Sequence, residues 1–279
     1  MNNKFIQITD KMKNELENNT FPGAVLGIVK KDKIIYKKAF GWAQIEPDKK
    51  EMTTNTIFDL ASLTKVVATT SAVMHLIAQG KLNLWDYVKE YFPSLPDEKE
   101  DITIYHLLTH TSGFQATEKL WGSEKDYKEK IEQILELPLK REIDSKVKYS
   151  DLNFILLGEL IKRISGNSLD IYLQDNIFSP MGMNKTGFNP LESFEDNDNQ
   201  TFAATEYCEW REKYMIGEVH DENSYSLGGV SGQAGLFSTI NDLSLFVRML
   251  LNKGKIGEKK IFPKGIIDIM RKNWTEELK

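Results

Sequence analysis

The chain has 279 residues, 41% hydrophobic and 28% charged, a composition that suits a globular protein able to bury a core in one domain or two. A formal net charge of −5 offers no basic footprint for nucleic acid, and the single cysteine, Cys208, excludes a disulfide within the chain and a cysteine-based zinc site. No stretch has the length and apolarity of a membrane span, and the first residues lack the apolar core of a signal peptide, so the expected compartment is the cytoplasm.

Phe5, Ile6, Ile8, Met12 and Leu16 put an apolar stripe on a first short helix, which Pro22-Gly23 breaks. Residues 24–29 and 34–40 follow as two strands around the polar turn Lys31-Asp32-Lys33, a hairpin signal. A long helical pattern opens at Ser62 and runs to Ala78-Gln79, with Gly80 as its stop. Helices are then expected over residues 104–109, 127–136, 152–165, 169–178, 242–251 and 265–272, separated by turns such as Ser112-Gly113, Ser165-Gly166-Asn167 and Met181-Gly182-Met183. Residues 192–200 are acidic and polar and are expected as an exposed loop. A lone hairpin makes a marginal sheet, so either more strands lie within residues 202–230 or the sheet is unfinished.

The chemistry gathers at Ser62-Leu63-Thr64-Lys65. A serine in the first turn of a helix sits beside free backbone N–H groups and the positive end of the dipole. A lysine three residues on shares its helical face, so its amine can reach the hydroxyl and act as the base of a nucleophilic serine. Alone, such a tetrapeptide is equally an N-cap followed by a solvated lysine. His106 and His110 have the i,i+4 spacing of a two-histidine metal site, but the intervening Leu107-Leu108-Thr109 lacks the glutamate of the zinc-peptidase motif, which favours packing or capping roles. Gly229-Val230-Ser231-Gly232-Gln233 falls one glycine short of a nucleophile elbow and reads as a glycine-rich turn. His220-Asp221-Glu222 reads as part of a loop near the cleft.

Collinear segments carry a more specific signal: Phe21-Pro22-Gly23-Ala24, Ala61 to Lys65, Gln79-Gly80-Lys81-Leu82, Ile102 to Gly113, Tyr149-Ser150-Asp151, Pro180-Met181-Gly182-Met183 and Gly232 to Thr239. Together they resemble the serine β-lactamase and penicillin-binding-protein superfamily, in its class C-like branch of lactamases, D-alanyl-D-alanine carboxypeptidases and esterases. The resemblance implies an α+β fold with a helical domain beside an antiparallel sheet domain. Residues 1–61 would be the N-terminal part of the sheet domain and residues 62–279 the mainly helical domain. It implies Ser62 as the acylated nucleophile at the buried N-terminus of a central helix, Lys65 as the group that takes or shares its proton, and Tyr149 as the phenol presented to nucleophile and leaving group. The Ser62 N–H would supply half of an oxyanion hole. The substrate would be a small ester, a β-lactam or a D-amino-acid peptide, with no metal or organic cofactor; oligomeric state is left open.

Two departures from the family pattern matter. Asp151, a substrate-binding position, stands where the family has asparagine; a carboxylate only accepts hydrogen bonds, and beside Lys65 it favours the charged amine. It fits a preference for cationic substrates or a tolerated variant. The family's later Lys-Thr-Gly or His-Thr-Gly triplet is also missing from the sequence, so the sheet is expected to be incomplete at its C-terminal side. These departures keep a second reading in view, a truncated or catalytically impaired binding or sensor module. Ser62, Lys65 and Tyr149 weigh against it, since drift after loss of function would not be expected to spare all three.

Overall fold

The apolar stripe of the first residues folds as α1 (Ile6–Glu17) in the computed structural model, which describes residues 5–195 and 199–278. The expected hairpin forms and is longer than its apolar runs. β1 (Gly23–Lys30) and β2 (Lys33–Gln44) pair antiparallel from Gly23 opposite Gly41 to Lys30 opposite Lys33. Lys31 at φ 54° closes the turn. β3 (Lys50–Glu51) extends this sheet on the β2 side, in the order β1-β2-β3. The other face of the hairpin meets α11 (Ile240–Leu251) at Gly27, where a Cβ would stand 2.8 Å from Ile240 Cγ1.

β4 (Phe58–Asp59) leads into the helix that carries Lys65. Its first part, Lys65–Thr69, is a π-helical turn, closed by the Thr70 N–H donating to the Lys65 carbonyl, and α2 (Thr70–Ala78) continues it. Gly80, at φ 68°, stops the helix as expected. The remaining helices are α3 (Val88–Tyr91), α4 (Ile104–Thr109), α5 (Tyr127–Glu136), α6 (Asp151–Ser165), α7 (Leu169–Leu173), α8 (Ser179–Met181), α9 (Pro190–Ser193), α10 (Glu222–Ser226) and α12 (Lys264–Arg271). The pattern over residues 169–178 is read as one helix, but α7 passes into a second π-helical turn, Gln174–Phe178, which keeps Leu173, Ile177 and Phe178 buried together. Residues 196–198, within the expected acidic loop, lie outside the described residues.

The missing strands are partly found. β6 (Ala204–Cys208) and β7 (Lys213–Ile216) form a hairpin within residues 202–230. β5 (Gly187–Phe188) and β8 (Leu236–Ser238) join β4 in a second sheet of order β4-β8-β5. The short pairs β9 (Lys255–Ile256) and β10 (Lys259–Lys260) lie near the end. Their two-residue spans are too short to show any alternation, which is why the sequence gives no sign of them.

α6 is the hub. Every residue from Leu152 to Ile161 is buried, so this helix is enclosed on all sides rather than amphipathic. Ser150, extended at φ −141°, precedes it and Gly166 at φ 75° terminates it. The loop around Gly232 packs backbone to backbone on α6: a Cβ at Gly158 would stand 3.0 Å from the Gly232 nitrogen, and one at Gly232 would fall 1.9 Å from the Phe154 carbonyl oxygen. That contact, with the β4–β8 pairing, brings the residues around Ser62, Tyr149 and Gln233 to one place.

Candidate active site

Ser62 follows a tight turn. Ala61 has φ 44°, a left-handed conformation that costs a residue with a side chain roughly 1–2 kcal/mol. Several bonds hold it. The Asp59 carboxylate accepts the Ala61 N–H at 2.8 Å, and Thr64 Oγ1 donates to the Ala61 carbonyl at 2.6 Å while accepting the Leu236 N–H at 3.1 Å. One helical turn further, Thr69 Oγ1 donates to the Gly232 carbonyl at 2.7 Å. The turn and the start of the helix are thus laced to the 232–236 segment on one side.

Lys65 is buried, and its ammonium has three donors and three acceptors. Nζ lies 3.1 Å from Ser62 Oγ, 3.0 Å from the Gln233 carbonyl and 2.7 Å from Asp151 Oδ1. Asp151 reaches it from the first turn of α6, with its own N–H donated to the Ala116 carbonyl at 2.8 Å. Asp151, expected at a substrate-binding position and beside Lys65, has its carboxylate against the Lys65 ammonium in this structure. Tyr149 contributes its ring face, with Lys65 Nζ 4.7 Å from the ring centroid, and Phe154 stands behind at 5.8 Å. Ser62, Lys65, Tyr149 and Asp151 thus gather in one cluster, as the resemblance implies.

One expectation differs. Ser62 is exposed rather than buried, and beside it Leu63 and Val66 are each 51% and Tyr149 49% exposed. The described residues build the floor and one wall of the site and leave the other side open. Cavities of about 520 Å³ around Lys185 and Phe188, about 340 Å³ beside Tyr87 and about 330 Å³ beside Trp274 have linings that do not include Ser62.

The two histidines serve as caps. The Thr103 N–H donates to His106 Nδ1 at 3.0 Å, and the Ser150 N–H donates to His110 Nδ1 at 3.1 Å. His110 ends α4 in the left-handed region, at φ 61°, with its ring 4.6 Å from that of Tyr149. Burial, reinforced by the Lys65 charge, pushes its pKa from 6.5 down to about 4. Above pH 6.5 the imidazole is neutral in folded and unfolded chains alike. Below it the unfolded chain takes up a proton that the folded one resists until about pH 4, so stability falls as the pH drops through that window. His110→Asn keeps an acceptor and tolerates the left-handed backbone. It is expected to flatten this part of the dependence in urea unfolding at pH 7 and pH 4.5; an unchanged slope would assign the effect to another group.

Sequence reasoning missed three contributors. The Gln233 carbonyl is a backbone group and leaves no trace in residue type. The Gly232 contact depends on tertiary packing. Asp59 could have been found, because an aspartate two residues before a turn residue is the signature of an Asx turn.

Residues 8–266 match the beta-lactamase family model. The chain is 34% identical over 281 residues to the N-acetylmuramyl-L-alanine amidase of Bacillus subtilis (strain 168), covering 89% of this chain and 63% of that protein. It is 34% identical over 274 residues to an Escherichia coli (strain K12) protein named as a D-alanyl-D-alanine carboxypeptidase, covering 87% and 63%. The chain thus spans somewhat under two thirds of the length of these curated relatives. Among solved structures, EstCE1, a hydrolase with promiscuous acyltransferase activity, shares the fold with TM-score 0.75 at 24% identity, over 95% of this chain and 76% of that one. The family-model match over nearly the whole chain, with relatives above 30% identity, places this protein in the beta-lactamase family.

Proposed function

We propose that the chain is a serine hydrolase that opens an ester or amide carbonyl, in a β-lactam, a D-amino-acid peptide or a short ester, through an acyl-enzyme on Ser62. The observation that carries this reading is the Lys65 ammonium held within hydrogen-bonding distance of both Ser62 Oγ and Asp151. Ser62–Lys65–Asp151 forms a continuous relay. As Oγ attacks the carbonyl carbon, its proton passes to Lys65 Nζ while Lys65 hands one to Asp151. Collapse of the tetrahedral intermediate breaks the bond to the leaving alcohol or amine, which takes a proton from Lys65 as Asp151 returns its proton to Nζ. Water then repeats the sequence on the acyl-enzyme. Tyr149, stacked on Lys65, lines the open side where the leaving group departs. The names of the relatives, an amidase, a carboxypeptidase and a hydrolase, agree with acyl chemistry of this kind.

The same reading divides the chain at residue 61 into part of a sheet domain and a mainly helical domain. It is supported by the β1-β2-β3 sheet, whose strands all fall within Gly23–Glu51.

Intact-mass spectrometry of the chain after incubation with a fluorophosphonate or a penicillin tests the proposal. A single adduct, absent from Ser62→Ala, together with turnover of a p-nitrophenyl ester, is the expected result. A stable adduct without turnover would favour the sensor reading, and no adduct on a folded chain would refute the hydrolase.

A further inference from the structure

Asp59 lies outside the Ser62, Lys65, Tyr149 and Asp151 cluster, yet it bonds on both sides of the cleft. Oδ1 accepts the Ala61 N–H at 2.8 Å, inside the strained turn, and Oδ2 accepts the His220 N–H at 2.9 Å, from a loop 161 residues away in sequence. Both oxygens are thus spent on backbone donors flanking the nucleophile. The loop that provides the second donor is itself tied at several points. Arg211, with a buried guanidinium, donates to the Val219 carbonyl at 2.7 Å and to the His220 carbonyl at 2.5 Å. The next residue, Asp221, accepts Ser224 N–H at 2.6 Å and Gln233 Nε2 at 3.3 Å, and it is the Gln233 carbonyl that holds Lys65. Nucleophile turn and lysine anchor therefore meet in one frame, and the Asp59 carboxylate is the clasp between its two halves. Without it, no other described residue accepts the Ala61 N–H, and a left-handed alanine relaxes toward the ordinary region, carrying Ser62 away from Lys65 Nζ.

We infer that Asp59 is the positioning residue for acylation at Ser62: its carboxylate clamps the Ala61 turn to the His220 backbone and so fixes Oγ against Lys65. The inference rests on the hydrolase reading for its kinetic consequence and on geometry alone for the clamp.

Two measurements separate these layers. Saturable inactivation by a fluorophosphonate, followed by intact mass, yields a binding constant and a maximal rate for wild type, Asp59→Asn and Asp59→Ala. Asparagine keeps one acceptor and turns an amino group toward the other N–H, while alanine removes both. The maximal rate is expected to fall roughly 10–100-fold in Asp59→Ala and less in Asp59→Asn, with the binding constant unchanged, because a displacement of about 1 Å is enough for such a loss. Deuterium uptake, read by mass spectrometry, is expected to rise together in peptides covering residues 58–66 and 216–222. A lower melting temperature with an unaltered maximal rate in both variants would reduce Asp59 to a structural residue and overturn the inference, and so would unchanged exchange in both peptides. If Asp59→Ala fails to fold, Asp59→Asn decides. A wild-type chain that takes no adduct would sink the hydrolase reading, and the exchange data then judge the clamp by themselves.

Discussion

Replacing Lys65 by methionine is expected to slow acylation of Ser62 by about 10²–10⁴-fold, the range spanned by losing a positioned general base. Methionine keeps most of the length and packing of the lysine stem but has no proton to give or take. The ammonium contacts Ser62 Oγ, Asp151 and the Gln233 carbonyl at once, so its loss interrupts the only relay from the hydroxyl to the carboxylate that these contacts define. Stability should move much less. The Asp151 side chain is 26% exposed and can turn to water when its partner is gone, so no fully buried charge is stranded. Fluorophosphonate labelling rates beside a urea melt separate the two effects. A drop of under tenfold in labelling would show that another group takes the serine proton. Asp151→Asn leaves an acceptor facing Nζ and is expected to cost less than Lys65→Met.

Gly232→Ala should be the most damaging single methyl group in the chain, at roughly 3 kcal/mol or more, the upper end of overpacking costs. Its Cβ would fall 1.9 Å from the Phe154 carbonyl oxygen and 2.8 Å from the Phe154 carbonyl carbon. Both obstacles are backbone of α6, buried along most of its length, so neither can swing aside. The loop must lift instead. Lifting it separates Thr69 Oγ1 from the Gly232 carbonyl and Lys65 from the Gln233 carbonyl, so activity is lost even in molecules that remain folded. Gly265→Ala is the matched control. It lies in α12 with open space around the added carbon, and exchanging glycine for alanine in a helix is neutral or favourable there by up to about 1 kcal/mol. Unfolding free energies of the two variants in urea that differ by less than about 1 kcal/mol would refute this account of the loop.

Local signals reported the helices and the first hairpin well. The stops at Gly80 and Gly166 are both glycines at positive φ, and the left-handed requirement is visible in the residue type itself. The site residues were legible for a different reason: Ser62 and Lys65 share a helical face, a weak signal alone, and the resemblance to the β-lactamase superfamily carried them together with Tyr149 and Asp151. What escaped was everything set by contact between distant segments. β4, β5 and β8 are two or three residues each and acquire strand geometry only by pairing with one another. The exposure of Ser62 depends on which neighbours surround it, which spacing does not encode. The break of the 169–178 helix into α and π portions left no mark either, because both kinds of turn use the same apolar residues.

The wide turn at Lys65–Thr69 has a consequence for how the gene can vary. It holds one residue beyond what an α-helical path requires, and α2 downstream is pinned by Val73 and Leu76 in the core. Deleting a codon within this turn would remove that spare residue and let the helix close as a regular α-helix with its two ends little turned, whereas deleting one just beyond it, between Thr70 and Val73 of α2, would rotate everything before it by about 100° around the axis. Ser62 and Lys65 would then turn away from Gln233 and Asp151 together. A sequence that preserved the spelling Ser-x-x-Lys but carried a one-residue gap between Thr70 and Val73 would have lost the site without changing any of its letters, while a gap within Lys65–Thr69 would be absorbed. Insertions and deletions in the exposed link after Gly80 carry no such penalty.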